Sequence, residues 1–88
     1  MRDRFEEIRA EIVRNDRALV NGVNNRLELV RELWELKAQL GLDTVDPDRE
    51  RRLRETLAAA NHGRLSAAGL EGLITHLLDL TKTELGRG

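Results

Sequence analysis

The stretch Val23-Asn24-Asn25-Arg26-Leu27-Glu28-Leu29-Val30-Arg31-Glu32-Leu33-Trp34-Glu35-Leu36-Lys37-Ala38-Gln39-Leu40-Gly41 decides the fold. Val23, Arg26, Val30, Leu33, Lys37 and Leu40 follow one another in steps of three and four, the spacing of one face of an α-helix. That face should be apolar, yet two of its positions are long cations. A charge carried on an inward helix face needs an anionic partner, because desolvation of an unpaired ion is costly.

Working back from this stretch, Phe5, Ile8, Ile12 and Leu19 continue the period and no proline interrupts it, so one helix is expected from about Asp3 to Leu40. Gly41 is its natural stop. Gly22, flanked by Asn21, Asn24 and Asn25, weakens the middle and could bend it, since glycine in a helix costs about 1 kcal/mol relative to alanine. A helix of about 38 residues is roughly 57 Å long, whereas a compact domain of this length has a radius of gyration of about 12 Å. Shorter helices from the same chain cannot cover such a rod. Reach alone therefore predicts that its stripe lies against a second copy, in an intertwined homodimer.

Working forward, Gly41-Leu42-Asp43-Thr44-Val45 is a loop, Asp46 is an N-cap and Pro47 occupies the first helical position, where its missing N–H does no harm. A second helix to about Ala60 buries Leu53 and Leu57. After the turn Asn61-His62-Gly63-Arg64, Ser66 caps a third helix from about Ala67 to Leu85, with Leu70, Leu73, Ile74, Leu77 and Thr81 on one face. The reading is all-α, three helices with a very long first one, in a single domain over residues 1–88.

Composition agrees. The chain has 88 residues, 35% of them charged, one Trp, one Phe and no Tyr. Fifteen Lys and Arg face 16 Asp and Glu in an interleaved order, without the basic stripe that nucleic acid asks for. No Cys is present, which excludes disulfides and thiolate chemistry. No apolar run approaches a signal sequence or the roughly 20 residues of a membrane span, and a cytoplasmic location is the expectation. His62 and His76 do not pair with carboxylates at a metal-binding spacing, and no phosphate loop or nucleophile–base set occurs, so neither a metal nor a cofactor is expected.

Arg26 and Lys37 stand three turns and about 16 Å apart on one face, close enough for two long side chains to converge on one ligand. Arg49 and Glu50, four and three residues before Leu53, project toward the inward side of the second helix. Together these residues describe a pocket for a small, multiply charged anion that also carries a hydroxyl. Arg9 lies at the edge of the first stripe, and in an antiparallel pairing of two long helices it would approach the partner's Arg26 and Lys37 half. The plainer readings are a snorkelling seam for Arg26 and Lys37, a first-turn charge cluster for Arg49 and Glu50, a surface pair with Glu6 or Glu7 for Arg9, and for Thr81 a hydroxyl bonded to its own i−4 carbonyl.

Ile8-Arg9-Ala10-Glu11-Ile12, Asp16, Asn25-Arg26-Leu27-Glu28-Leu29-Val30, Glu35-Leu36-Lys37 and Asp46-Pro47-Asp48-Arg49-Glu50-Arg51 closely resemble the all-helical class of chorismate mutases. The likeness covers nearly the whole chain and is weaker in the third helix. It implies an interlocked homodimer with two active sites, in which Arg9 of the other subunit binds a carboxylate, Arg26 and Arg49 hold carboxylates, and Lys37 binds the ether oxygen and a carboxylate. Glu50, with backbone near Asp46, would accept the ring hydroxyl, and Thr81 stands where the family often has Ser. It also implies a place in aromatic amino acid biosynthesis by the shikimate route, without a cofactor. One turn beyond that Ser the family usually has Gln or Glu as a second donor to the ether oxygen. This chain has Leu85 there, with Glu84 beside it, so either Glu84 serves as a further catalytic group or the donor is missing. Two rivals stay open: an isochorismate pyruvate lyase, which shares the scaffold, and a non-catalytic helical dimerisation module whose inward charges set register.

Overall fold

In a computed structural model that describes residues 1–86, three helices follow in order: α1 (Arg2–Leu40), α2 (Pro47–Ala60) and α3 (Ala67–Glu84). The described residues contain no strand. Each boundary has a local cause. Gly41 takes the left-handed conformation at φ 71°, its N–H bonds the Ala38 carbonyl at 3.2 Å, and the Leu42 N–H bonds the Lys37 carbonyl at 2.8 Å. This pair of bonds satisfies carbonyls that the helix end would leave orphaned. Asp46 accepts from the Arg49 N–H at 3.2 Å with Pro47 at the first position of α2, and Ser66 accepts from the Gly69 N–H at 2.9 Å at the start of α3.

α1 runs unbroken through Gly22. An added Cβ there would meet nothing within 4 Å, so the cost of this glycine is one of chain entropy and not of broken packing. The helix sets the shape: the chain measures 59 × 23 × 18 Å, with a radius of gyration of 16.7 Å against the roughly 12 Å of a compact chain of this length.

α3 packs against both α1 and α2. The core they make is thin. Leu70, Ile74 and Thr81 are its buried residues, with Ile74 only 1% exposed. Arg54 of α2 stitches the outside of this junction, pairing with Glu71 and donating to Thr75 Oγ1 at 3.4 Å. Leu73, expected on the inward face, is instead 49% exposed. The two neighbouring helices cover only the stripe through Leu70, Ile74 and Leu77, and a residue about 100° round from Ile74 falls outside it.

No residue of α1 is buried within the chain. Phe5, Ile8, Ile12, Leu19 and Val20 are all exposed, so the apolar stripe of its first half has no partner among the described residues. The inward burial expected for Arg26 and Lys37 is partial: both are half-buried, in the second half of the helix where α3 approaches. No helix is long and apolar enough to cross a membrane among the described residues.

Candidate functional site

The second half of α1, the loop before α2, the first turns of α2 and the end of α3 enclose a cavity of about 440 Å³. α1 contributes Arg26, Val30, Leu33, Trp34 and Lys37 to its wall. The loop contributes Thr44, Val45 and Asp46; α2 contributes Arg49, Glu50, Arg52 and Leu53; α3 contributes Leu78, Thr81 and Lys82. Apolar walls with a few convergent polar groups are the usual make-up of a small-molecule site.

Its position follows from the local structure already described. The Gly41 turn ends α1 one turn after Lys37, and the Asp46 cap starts α2 so that Arg49 and Glu50 fall in its first turn. Loop and helix start therefore hold Lys37, Arg49 and Glu50 around one opening. Thr81 joins the far wall: Arg26 Nη1 donates to Thr81 Oγ1 at 2.6 Å, and Thr81 Oγ1 donates to the Leu77 carbonyl at 2.7 Å. The hydroxyl is 5% exposed as a residue, so the bond is shielded from competing water.

The electrostatics are one-sided. Five cations line the cavity, Arg26, Lys37, Arg49, Arg52 and Lys82, against the carboxylates Asp46 and Glu50. Among the described residues none of the five forms an ion pair; on the rest of the chain Arg4, Arg31, Arg51 and Arg54 pair with glutamate or aspartate, while Arg2, Arg9, Arg14, Arg17 and Arg64 do not. Burial first, and then the charge of nearby Arg49, holds the Arg26 guanidinium below its ordinary value. Arg26 is half-buried, whereas Arg49, expected on the inward side of α2, is exposed; an anion seated between the two guanidiniums would relieve their repulsion.

The cavity thus brings together Arg26, Lys37, Asp46, Arg49, Glu50 and Thr81 of the residues singled out in the sequence. It does not include Arg9 or Glu84. Arg9 stacks its guanidinium 5.3 Å from the Phe5 ring centre, about 26 Å along the helix axis from Arg26, several times the reach of an arginine side chain. Glu84 is the exposed last residue of α3, and Leu85 follows as its cap. Thr81 makes the expected bond to its i−4 carbonyl, and the same oxygen also receives Arg26. Arg52 and Lys82 are lining cations that the sequence reading did not single out.

A family model described as chorismate mutase type II matches residues 8–84. No curated protein and no solved structure matches the chain.

Proposed function

The chain belongs to the chorismate mutase type II family, and on that premise we propose that it catalyses the rearrangement of chorismate to prephenate in aromatic amino acid biosynthesis. The observation that carries the reading is the cluster of five cations around the cavity, none of them in an ion pair among the described residues, with Arg26 bonded to Thr81. The substrate is a dianion carrying a ring hydroxyl and an ether oxygen. Its reaction breaks a C–O bond as a C–C bond forms within one molecule, so atoms and electrons balance without a base, a nucleophile or a second reactant.

Such a reaction gains from two things: holding a flexible molecule in its reactive conformer, and placing positive charge where negative charge grows. Arg26 and Arg49 fit the first task, because a planar guanidinium grips a carboxylate with two parallel hydrogen bonds. Lys37, a compact point charge, fits the second at the departing ether oxygen. Glu50 accepts the ring hydroxyl beside the backbone of Asp46.

In this reading the active unit is a homodimer. The uncovered apolar stripe of α1 from Phe5 to Val20 supports it, and so does the distance of Arg9 from its own cavity. A second copy lying along α1 would cover that stripe and bring its Arg9 to the opening.

The test is to mix the purified protein with chorismate, follow the loss of its absorbance and identify prephenate as the product. Lys37→Ala should abolish turnover while the protein stays folded. Release of pyruvate from isochorismate in place of prephenate formation would favour the lyase, and no binding of either dianion would favour a dimerisation module.

A further inference from the structure

We propose that Lys82 is a further catalytic residue, the one through which α3 donates a hydrogen bond to the departing ether oxygen of the bound dianion. The inference rests on the mutase reading above and names a residue which that reading does not use.

The residues of α3 that line the cavity are Leu78, Thr81 and Lys82. Leu78 has no polar atom. Thr81 has one hydroxyl proton, and that proton is committed to the Leu77 carbonyl at 2.7 Å, while a lone pair receives Arg26 at 2.6 Å. A hydroxyl has a single hydrogen to give, so Thr81 aligns Arg26 and donates nothing to a ligand. Glu84 and Leu85 lie beyond the lining residues. Lys82 remains, with no hydrogen-bond or ion-pair partner of its own among the described residues.

The role follows from which oxygens are left. In that reading the two carboxylates go to guanidiniums, Arg26 and Arg49 of this chain, whose forked donors suit them. The ether oxygen has two lone pairs and gains most of the charge as its bond to carbon lengthens, so it can use a donor on each side. Lys37 comes from α1 and Lys82 from α3, on different walls of the same cavity. An ammonium also needs no proton uptake before it can donate, unlike a carboxylate.

The test is steady-state kinetics with chorismate on Lys82→Met, which removes charge and donor but keeps the length of the side chain, and on Lys82→Arg, which keeps the charge. Removal of a donor to a developing oxyanion lowers kcat by roughly 10²–10³-fold, and KM should change little, because the interaction strengthens only in the transition state. Lys82→Arg should recover much of the loss. The melting temperature of each variant is recorded alongside, since a lysine in the last turn that only met the helix dipole would alter stability and leave kcat alone. A kcat for Lys82→Met within about threefold of the unmodified protein, a loss confined to KM, or a Lys82→Arg no better than Lys82→Met overturns the assignment. These outcomes are separable from failure of the mutase reading: if the unmodified protein forms no prephenate, both fall, whereas normal turnover that depends on Lys37 but not on Lys82 removes Lys82 alone.

Discussion

Arg26 Nη1 lies 2.6 Å from Thr81 Oγ1, so a cation of the cavity wall is aimed by a hydroxyl from a different helix, 55 positions along the chain. The hydroxyl is itself held by the Leu77 carbonyl. Thr81→Val keeps the shape and removes the acceptor. A hydrogen bond to a charged group is worth about 1.5–3 kcal/mol, so the variant should bind the dianion roughly tenfold or more weakly. Thr81→Ser should behave as the unmodified protein. Titration calorimetry with a substrate-like dianion checks both.

Arg26 and Arg49 repel each other, and burial adds to the cost of the Arg26 charge. A base whose folded value is lowered destabilises the fold while it is charged, and the penalty fades only as pH rises from that lowered value toward the ordinary one. Arginine keeps its proton across the usual working range, so Arg26 should contribute no slope to stability between about pH 5 and 9. An anion seated between the two guanidiniums removes the penalty. A small dicarboxylate should therefore raise the melting temperature more than chloride does at equal ionic strength, by linkage, and Arg26→Leu should abolish that difference. Equal effects of the two salts would mean general screening.

Much of the fold was legible because its signals are local. Gly41, Asp46 with Pro47, and Ser66 each end or start a helix through bonds to residues within four or five positions, which a sequence displays directly. Arg26 and Lys37 were legible for a different reason: they interrupt an apolar stripe, and a broken pattern is visible without a structure. Lys82 and Arg52 break nothing. Each sits on a mixed face beside other polar residues, and only the packing of α3 against α1 and α2 brings it, still exposed, to the wall of a cavity. The Arg26 bond to Thr81 and the exposure of Leu73 depend on the same tertiary fact, how much of α3 the neighbouring helices cover.

Gly22 offers a test of α1 as a rod. Its Cβ position is open in the chain, and replacing glycine with alanine in a helix interior gains about 1 kcal/mol. Gly22→Ala should raise the melting temperature by roughly 4–8 °C for a domain of this length, with turnover unchanged. A fall measured by circular dichroism would mean that a second copy approaches the backbone closely at Gly22.

The site proposed here is built by two chains, with Arg9 of one serving the Lys37 cavity of the other. Arg9→Ala and Lys37→Ala should each be inactive alone. Unfolded together and refolded at equal amounts, they should form mixed dimers in which one of the two sites carries both native residues, restoring about a quarter of the unmodified turnover of chorismate. A mixture that forms mixed dimers by mass yet stays as inactive as its parents would contradict a shared site.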